Sequence, residues 1–288
     1  MESVISAGVI GLSLGTQYAL ISIGFTLIFG IMGVVNFAHG GFYIIGGYFA
    51  FALTHMLGLP YPVALVLAAL GTGAFGYAIE ILFVDKHVVD HLATMLITLA
   101  IYQIVVTGIT LTFGAEPVDF SFPIKGSLHG NGFYVPYSSM VVFAVCAVTI
   151  AGVYYLVYRT RYGIALRAMA DDGPVARAQG IPPAKMFPLA FGIATALAGL
   201  TGALVTPILA LEPNGGEAVL GKAFIIVILG GLGSITGAMI SAFVVGLIEA
   251  YTSVYLGGSK GALALIALVV VILLIRPQGL LGAVARKA

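Results

Sequence analysis

Charge is what this 288-residue chain has least of: Asp, Glu, Lys and Arg make up 8% of it, against roughly 25% in a soluble domain. Tryptophan is absent, and the single cysteine, Cys146, lies inside an apolar run. One cysteine excludes a disulfide framework and a cysteine-rich metal site. There is no H-E-x-x-H motif, no Cys/His cluster and no pair of acids on one helix face of an apolar run. A metal site and general acid–base catalysis therefore have no residues to stand on, and neither a metal nor a cofactor is expected. The net charge is +1, and outside one loop no basic stripe alternates with aromatics, so nothing points to nucleic acid.

What is abundant is apolar sequence. The chain is 60% hydrophobic, with a mean hydropathy of +1.13. Between Ser3 and Ile79 there is no Asp, Glu, Lys or Arg, a length that allows three membrane spans at about 20 residues each. The runs are continuous where a transmembrane barrel would alternate in short segments. The 39 glycines suit helices that pack closely in lipid, where no hydrophobic drive exists between them. The first run lacks a basic leader and a small-residue cleavage site, so it reads as a span and not a removed signal. Apolar runs fall at about 5–32, 40–58, 61–84, 92–113, 138–158, 187–211, 219–233, 235–256 and 261–275. They predict an all-α integral membrane protein: one transmembrane domain over residues 1–288, a polytopic bundle of eight or nine membrane-inserted helices. Run 219–233 is short enough to be re-entrant.

One polar island, about 159–186, holds five of the twelve basic residues. With the island inside, alternate counting also puts the 85–91 loop and the C-terminus inside, and 114–136, 212–218 and 257–260 outside. Lys86, Arg159, Arg161, Arg167, Arg177, Lys185, Arg276, Arg286 and Lys287 then lie inside, against Lys125, Lys222 and Lys260 outside, as the positive-inside rule requires. Within the island Asp172-Gly173-Pro174 starts a helix, and Gly180 with Pro182-Pro183 ends it. So short a helix is not stable alone. As an orienting anchor the island would need only Arg159 and Arg161. Its alanine and valine content favours a docking helix that presents Val175, Ala176 and Ile181 to a soluble partner, with Arg177 on the rim.

Three motifs mislead. Gly71-Thr-Gly73-Ala-Phe-Gly76 matches a dinucleotide fingerprint, but it lies in an apolar helix with no preceding strand and reads as a packing face. The segment from Gly216 to Ala223 resembles a P-loop, yet Ala223 lacks the hydroxyl that would hold magnesium. The GxxxG pairs Gly11/Gly15 and Gly233/Gly237 indicate close packing and little more.

The polar residues in apolar surroundings carry more. Asn36-Phe37-Ala38-His39-Gly40-Gly41 is either an interfacial turn or a helix break beside a transport path, where Asn36 and His39 bond a polar solute or fix the break. Glu249, about two thirds along its run, is a substrate-path candidate with a partner on a facing helix, or a neutral or water-exposed carboxylate near the outer end. Glu80, near an inner end, is expected to pair with Lys86 or reach water. Gly230-Gly231-Leu-Gly233-Ser234 suits a tight turn or the tip of a re-entrant hairpin. Arg276 and Pro277 end the last span.

Across nearly its whole length the chain resembles the permease subunits of bacterial ABC importers for branched-chain amino acids and related small solutes. The likeness rests on TQYALISIGFTLIFGIMGVVNFAHGGFYIIGGY at 16–48, RYGIALRAMADDGPVARAQGI at 161–181, and GKAFIIVILGGLGSITGAMISAFVVGLIEA followed by RPQGLLG. It implies a non-catalytic inner-membrane subunit whose coupling loop docks on cytoplasmic ATPase subunits. The contact residues would be Asp172, Pro174, Val175, Ala176, Arg177, Gln179, Gly180 and Ile181. It further implies a paralogous permease and an external solute-binding protein. The family often has an acid where Gly41 stands, and a basic pattern where this chain has Glu80-Ile81 and Lys86-His87. A self-sufficient secondary transporter or channel is the competing class; it would show inverted repeats and midplane ionisable groups.

Overall fold

The computed structural model describes residues 2–88, 90–130, 133–276 and 278–281. Each of the nine apolar runs becomes a helix, and the island adds two. In chain order they are α1 Glu2–Met32, α2 His39–Phe51, α3 Tyr61–Ile79, α4 His91–Phe113, α5 Tyr137–Arg159, α6 Arg161–Asp171, α7 Gly173–Ala178, α8 Pro183–Val205, α9 Gly215–Gly230, α10 Ile235–Leu256 and α11 Gly258–Ile275. Between α4 and α5 a hairpin pairs β1 (Ser127–Gly130) with β2 (Phe133–Pro136), antiparallel with Leu128 opposite Val135. The predicted external loop thus carries the departure from an all-α chain.

Among the described residues six segments are long and apolar enough to cross a membrane: Val4–Met32, Tyr61–His87, His91–Phe113, Tyr137–Arg159, Pro183–Val205 and Ile235–Leu256. Lipid leaves no water to satisfy backbone groups, so chain at membrane depth folds as continuous helix. Length and composition thus account for six of the expected eight or nine spans among the described residues. Helix α2 has 13 residues before a π-helical turn at Ala52–Met56, and α9 has 16. The third of the shorter helices is α11, with 18 residues. All three fall below the roughly 20 residues of a full span. Pro277, Arg286 and Lys287 lie outside the described residues.

The chain forms two compact units. One comprises Leu27–Ser121 and Ala151–Gly221. Its core is α8, held against α2 and α3 by small residues. Gly46 of α2 meets the backbone of Gly199, and Gly202 meets the carbonyl of Tyr43. On the α3 side a β-carbon at Gly73 would lie 2.9 Å from that of Ala196, and Gly76 fits against Thr195. The false fingerprint is therefore a packing face, as expected. Thr195, Thr201 and Thr206 return their hydroxyls to carbonyls of Phe191, Leu197 and Gly202 at 2.7–2.9 Å, which satisfies these buried donors within the helix. Phe42 fills the space between, edge-on to Phe75 and Phe191 at centroid distances of 6.1 and 5.9 Å.

The other unit comprises Met1–Thr26, Phe122–Ile150 and Lys222–Ala288. Here α1 packs on α10: a β-carbon at Gly11 would lie 2.9 Å from Leu247 Cα, and one at Gly15 would lie 2.7 Å from Phe243 Cδ1. The second GxxxG pair is not a helix face. Gly233 sits in the turn at φ +83°, and Gly237 abuts Gly230 across it. Ser234 Oγ caps α10 by accepting from Gly237 N at 3.1 Å. The amides of Leu280 and Leu281 donate to the carbonyls of Leu229 and Gly230 at 2.8 and 3.0 Å, which satisfies acceptors that the end of α9 leaves open.

These seams predict a selective intolerance. Gly46→Val and Gly202→Val should abolish recovery of monodisperse protein in detergent, because the added atoms meet backbone that cannot yield. Gly108→Ala, at a position with open space around it, should be recovered at the native yield. Size-exclusion profiles of the three variants check this.

Candidate functional site

The island folds more fully than its polarity suggested. Residues taken for loop form α6, capped by Thr160 Oγ1, which accepts from Gly163 N at 3.1 Å. Leu166 and Met169 turn inward, Tyr162 donates its hydroxyl to the Met186 carbonyl at 3.3 Å, and Arg167 lies over the Tyr158 ring at 4.9 Å. Burial pushes the Tyr162 phenol up, so it remains a neutral donor.

Helix α7 follows with both ends closed. Asp172 Oδ1 accepts from Val175 N at 3.0 Å, the usual service of an N-cap carboxylate. At the far end Gly180 has φ +86°; its amide donates to Arg177 O at 2.9 Å and that of Ile181 to Ala176 O at 3.1 Å. This is the Schellman closure, which needs glycine in the left-handed region. Pro183 does not merely end the island; it opens α8, where a proline lacks no needed donor. One assignment is corrected. Ala176 is 2% exposed, buried within its own unit, so its methyl is not offered to a partner. Val175 is 49% exposed, and Asp172, Pro174, Arg177, Gln179 and Gly180 are exposed, with Ile181 half-buried.

The Asn36–Gly41 segment breaks the chain between α1 and α2. Asn36 Oδ1 accepts from Ala38 N at 3.0 Å, an Asx turn that fixes the break, and Phe37 N donates to Thr98 Oγ1 at 3.2 Å. Asn36 and His39 are both buried, and among the described residues the Asn36 side-chain amide nitrogen has no hydrogen-bond partner. Gly40 abuts the backbone of Gly216, and a β-carbon at Gly41 would lie 3.3 Å from the Tyr102 ring. The two glycines thus allow close packing around a polar break. Glu80 is corrected as well. It is fully buried in a π-helical stretch, Glu80–Val84, and among the described residues neither carboxylate oxygen has a hydrogen-bond partner, so it neither pairs with Lys86 nor reaches the surface.

Glu249 belongs to the other unit, where it has partners the sequence did not name. Lys222, counted above among external loop cations, stands two turns into α9 and donates to Glu249 Oε1 at 2.6 Å and to Tyr18 Oη at 2.7 Å. Tyr18 in turn donates to Glu249 Oε2 at 2.8 Å, closing a ring of three side chains from α9, α10 and α1. The expectation of a partner on a facing helix is met, and the resemblance to a P-loop dissolves: its lysine is a helical residue committed to an ion pair. A lone lysine in one apolar run and a lone glutamate in the next was the available signal.

Over residues 9–275 the chain matches the family described as branched-chain amino acid transport system, permease component. The chain belongs to this family. It is 32% identical to the high-affinity branched-chain amino acid transport system permease protein BraD of Pseudomonas aeruginosa, covering 94% of each chain. It is 31% identical to LivH of Escherichia coli over 94% of this chain and 93% of that one. A more distant likeness, 27% over 92% of this chain and 67% of the relative, links it to the permease LivM of Salmonella typhimurium. No solved structure matches.

The ring predicts non-additive stability. Glu249→Gln alone should destabilise the detergent-solubilised protein by on the order of 2 kcal/mol, below the roughly 3–5 expected for a fully buried pair because both groups are partly exposed. Lys222→Met with Glu249→Gln should recover most of that loss. Exposure of the buried Cys146 thiol during thermal unfolding reads both values, and equal losses in the single and double variants would contradict the coupling.

Proposed function

We propose that this chain is the membrane-spanning permease subunit of an ATP-driven importer for branched-chain amino acids or similar small polar solutes. Family membership over residues 9–275 is the observation that carries this reading over a self-sufficient transporter or channel. The chain is non-catalytic, and ATP is hydrolysed by cytoplasmic ATPase subunits. A likeness to LivM as well as LivH supports pairing with a paralogous permease, and an external solute-binding protein delivers the solute. The location is the bacterial cytoplasmic membrane with the C-terminus inside. The short helices α2, α9 and α11 are also membrane-inserted and bring the total to nine.

The ATPase docks at α7. A helix of six residues closed by Asp172 at one end and Gly180 at the other is rigid enough to transmit a push. Pro174, Val175, Arg177, Gln179 and Ile181 supply the contact, and Ala176 anchors it from beneath. ATP-driven closure at this helix rocks the permease between inward- and outward-open states. In the one unit Asn36, His39, Gly40 and Gly41 at the break are the solute-path residues; in the other, Glu249 is.

Two variants test the coupling. Val175→Asp places a charge in the docking face, and Gly180→Pro forbids the left-handed closure. Each should lower co-purification of the ATPase by roughly ten- to a hundred-fold, the equivalent of about 1–3 kcal/mol, with the chain still recovered from membranes. Undiminished co-purification in both, measured by pull-down of the chain expressed with its neighbouring genes, would remove the assignment. Asn36→Ala should reduce uptake while leaving the complex assembled, as the same pull-down with a radiolabelled uptake assay would report.

A further inference from the structure

The ring of Tyr18, Lys222 and Glu249 leaves bonding capacity unused. An ammonium has three N–H donors and a carboxylate about four acceptor sites. Lys222 gives two of its donors to Glu249 and Tyr18, and the carboxylate receives one bond from each of them. Among the described residues one cationic donor and about two anionic acceptor sites remain, on side chains 36% and 28% exposed. Both side chains line a single cavity of about 230 Å3. The small residues Ser253, Gly261 and Ala262 line it as well, and Ile225, Leu265 and Ile266 make the rest apolar.

Stability does not account for this arrangement, because an ion pair withdrawn from water is commonly no better than apolar side chains of the same size. An ionisable group within a transmembrane helix instead marks a path for a polar solute. A net-neutral pair with one free donor and free acceptors matches a ligand that is itself a neutral dipole of a carboxylate and an ammonium. A monocarboxylate would face the Glu249 charge, and a monoamine would face the Lys222 charge.

We propose that this cavity binds the zwitterionic head of an aliphatic α-amino acid: Lys222 Nζ takes the carboxylate, Glu249 the ammonium, and Ile225, Leu265 and Ile266 the side chain. Tyr18 is a positioning residue that holds the two charged groups side by side. The assignment rests on the importer reading above, and deepens it by naming where in the chain the solute is recognised.

Thiol protection tests it. Ser253→Cys puts a reporter on the cavity wall, against a background in which the one native thiol, Cys146, is buried. Membranes from cells expressing this variant with its neighbouring genes are treated with N-ethylmaleimide. Leucine should slow the labelling about tenfold when it stands roughly ten times above its Kd, since only the unoccupied fraction reacts. Its decarboxylated analogue isoamylamine and its deaminated analogue isocaproate should not. Protection should vanish when Lys222→Met and Glu249→Gln are added together, a double change that preserves the fold. Equal protection by all three compounds, protection that survives the double change, or a thiol that never reacts would each overturn the proposal. Absence of protection alongside normal leucine uptake by the native complex would overturn the site and leave the importer reading standing. Protection by leucine in a chain whose deletion leaves leucine uptake unchanged would support the site and count against the importer reading.

Discussion

Close approach of backbones is the constraint on which the rest of this fold depends. In lipid, helices gain nothing by hiding apolar side chains from one another, so association must come from contact itself. Glycine makes that contact possible where α2 and α8 touch backbone to backbone at Gly46/Gly199 and Tyr43/Gly202, and where α3 reaches α8 through Gly73 and Gly76. The threonines of α8 keep their hydroxyls on their own helix, so the seams need no polar partner across them. The break at Asn36 lies in the same compact unit, and its neighbours Gly40 and Gly41 pack by the same device.

The second unit handles polarity differently. Its charges are not avoided but closed into a ring, with a phenol bridging the ammonium and the carboxylate. Each member bonds the other two, and such mutual pairing is how ionisable groups in apolar helices are commonly accommodated. Where the first unit is held by what its helices lack, the second is pinned by three side chains whose positions are mutually dependent.

The helices were legible because membrane depth permits little else: nine apolar runs became nine helices, with boundaries displaced by a few residues. The ends of α7 were legible too, since Asp172 and Gly180 act through local backbone geometry that the sequence states directly. What escaped was set by contacts distant in sequence. Ala176 faces inward because of what α7 packs upon, and six residues carry too little periodicity to reveal a buried side. Glu80 and Lys86, six apart, are not side-chain neighbours of the kind that residues three or four apart on a helix are, and the π-helical turn Glu80–Val84 shifts the spacing further. The partnership of Lys222 with Tyr18 spans 204 positions, beyond any local rule. Helix α6 was missed because its polar composition resembles a loop, although Thr160 supplies a local start signal.

The clasp at the end of α9 bears on how the chain is made. The carbonyls of Leu229 and Gly230 receive their donors from Leu280 and Leu281, which emerge from the ribosome only after α10 and α11. Domains begin folding from the N-terminal side during synthesis, so α9 exists for a time with its terminal acceptors unanswered. The turn at Gly230–Ser234 is therefore fastened late in biogenesis, after both helices that follow it have already been synthesised.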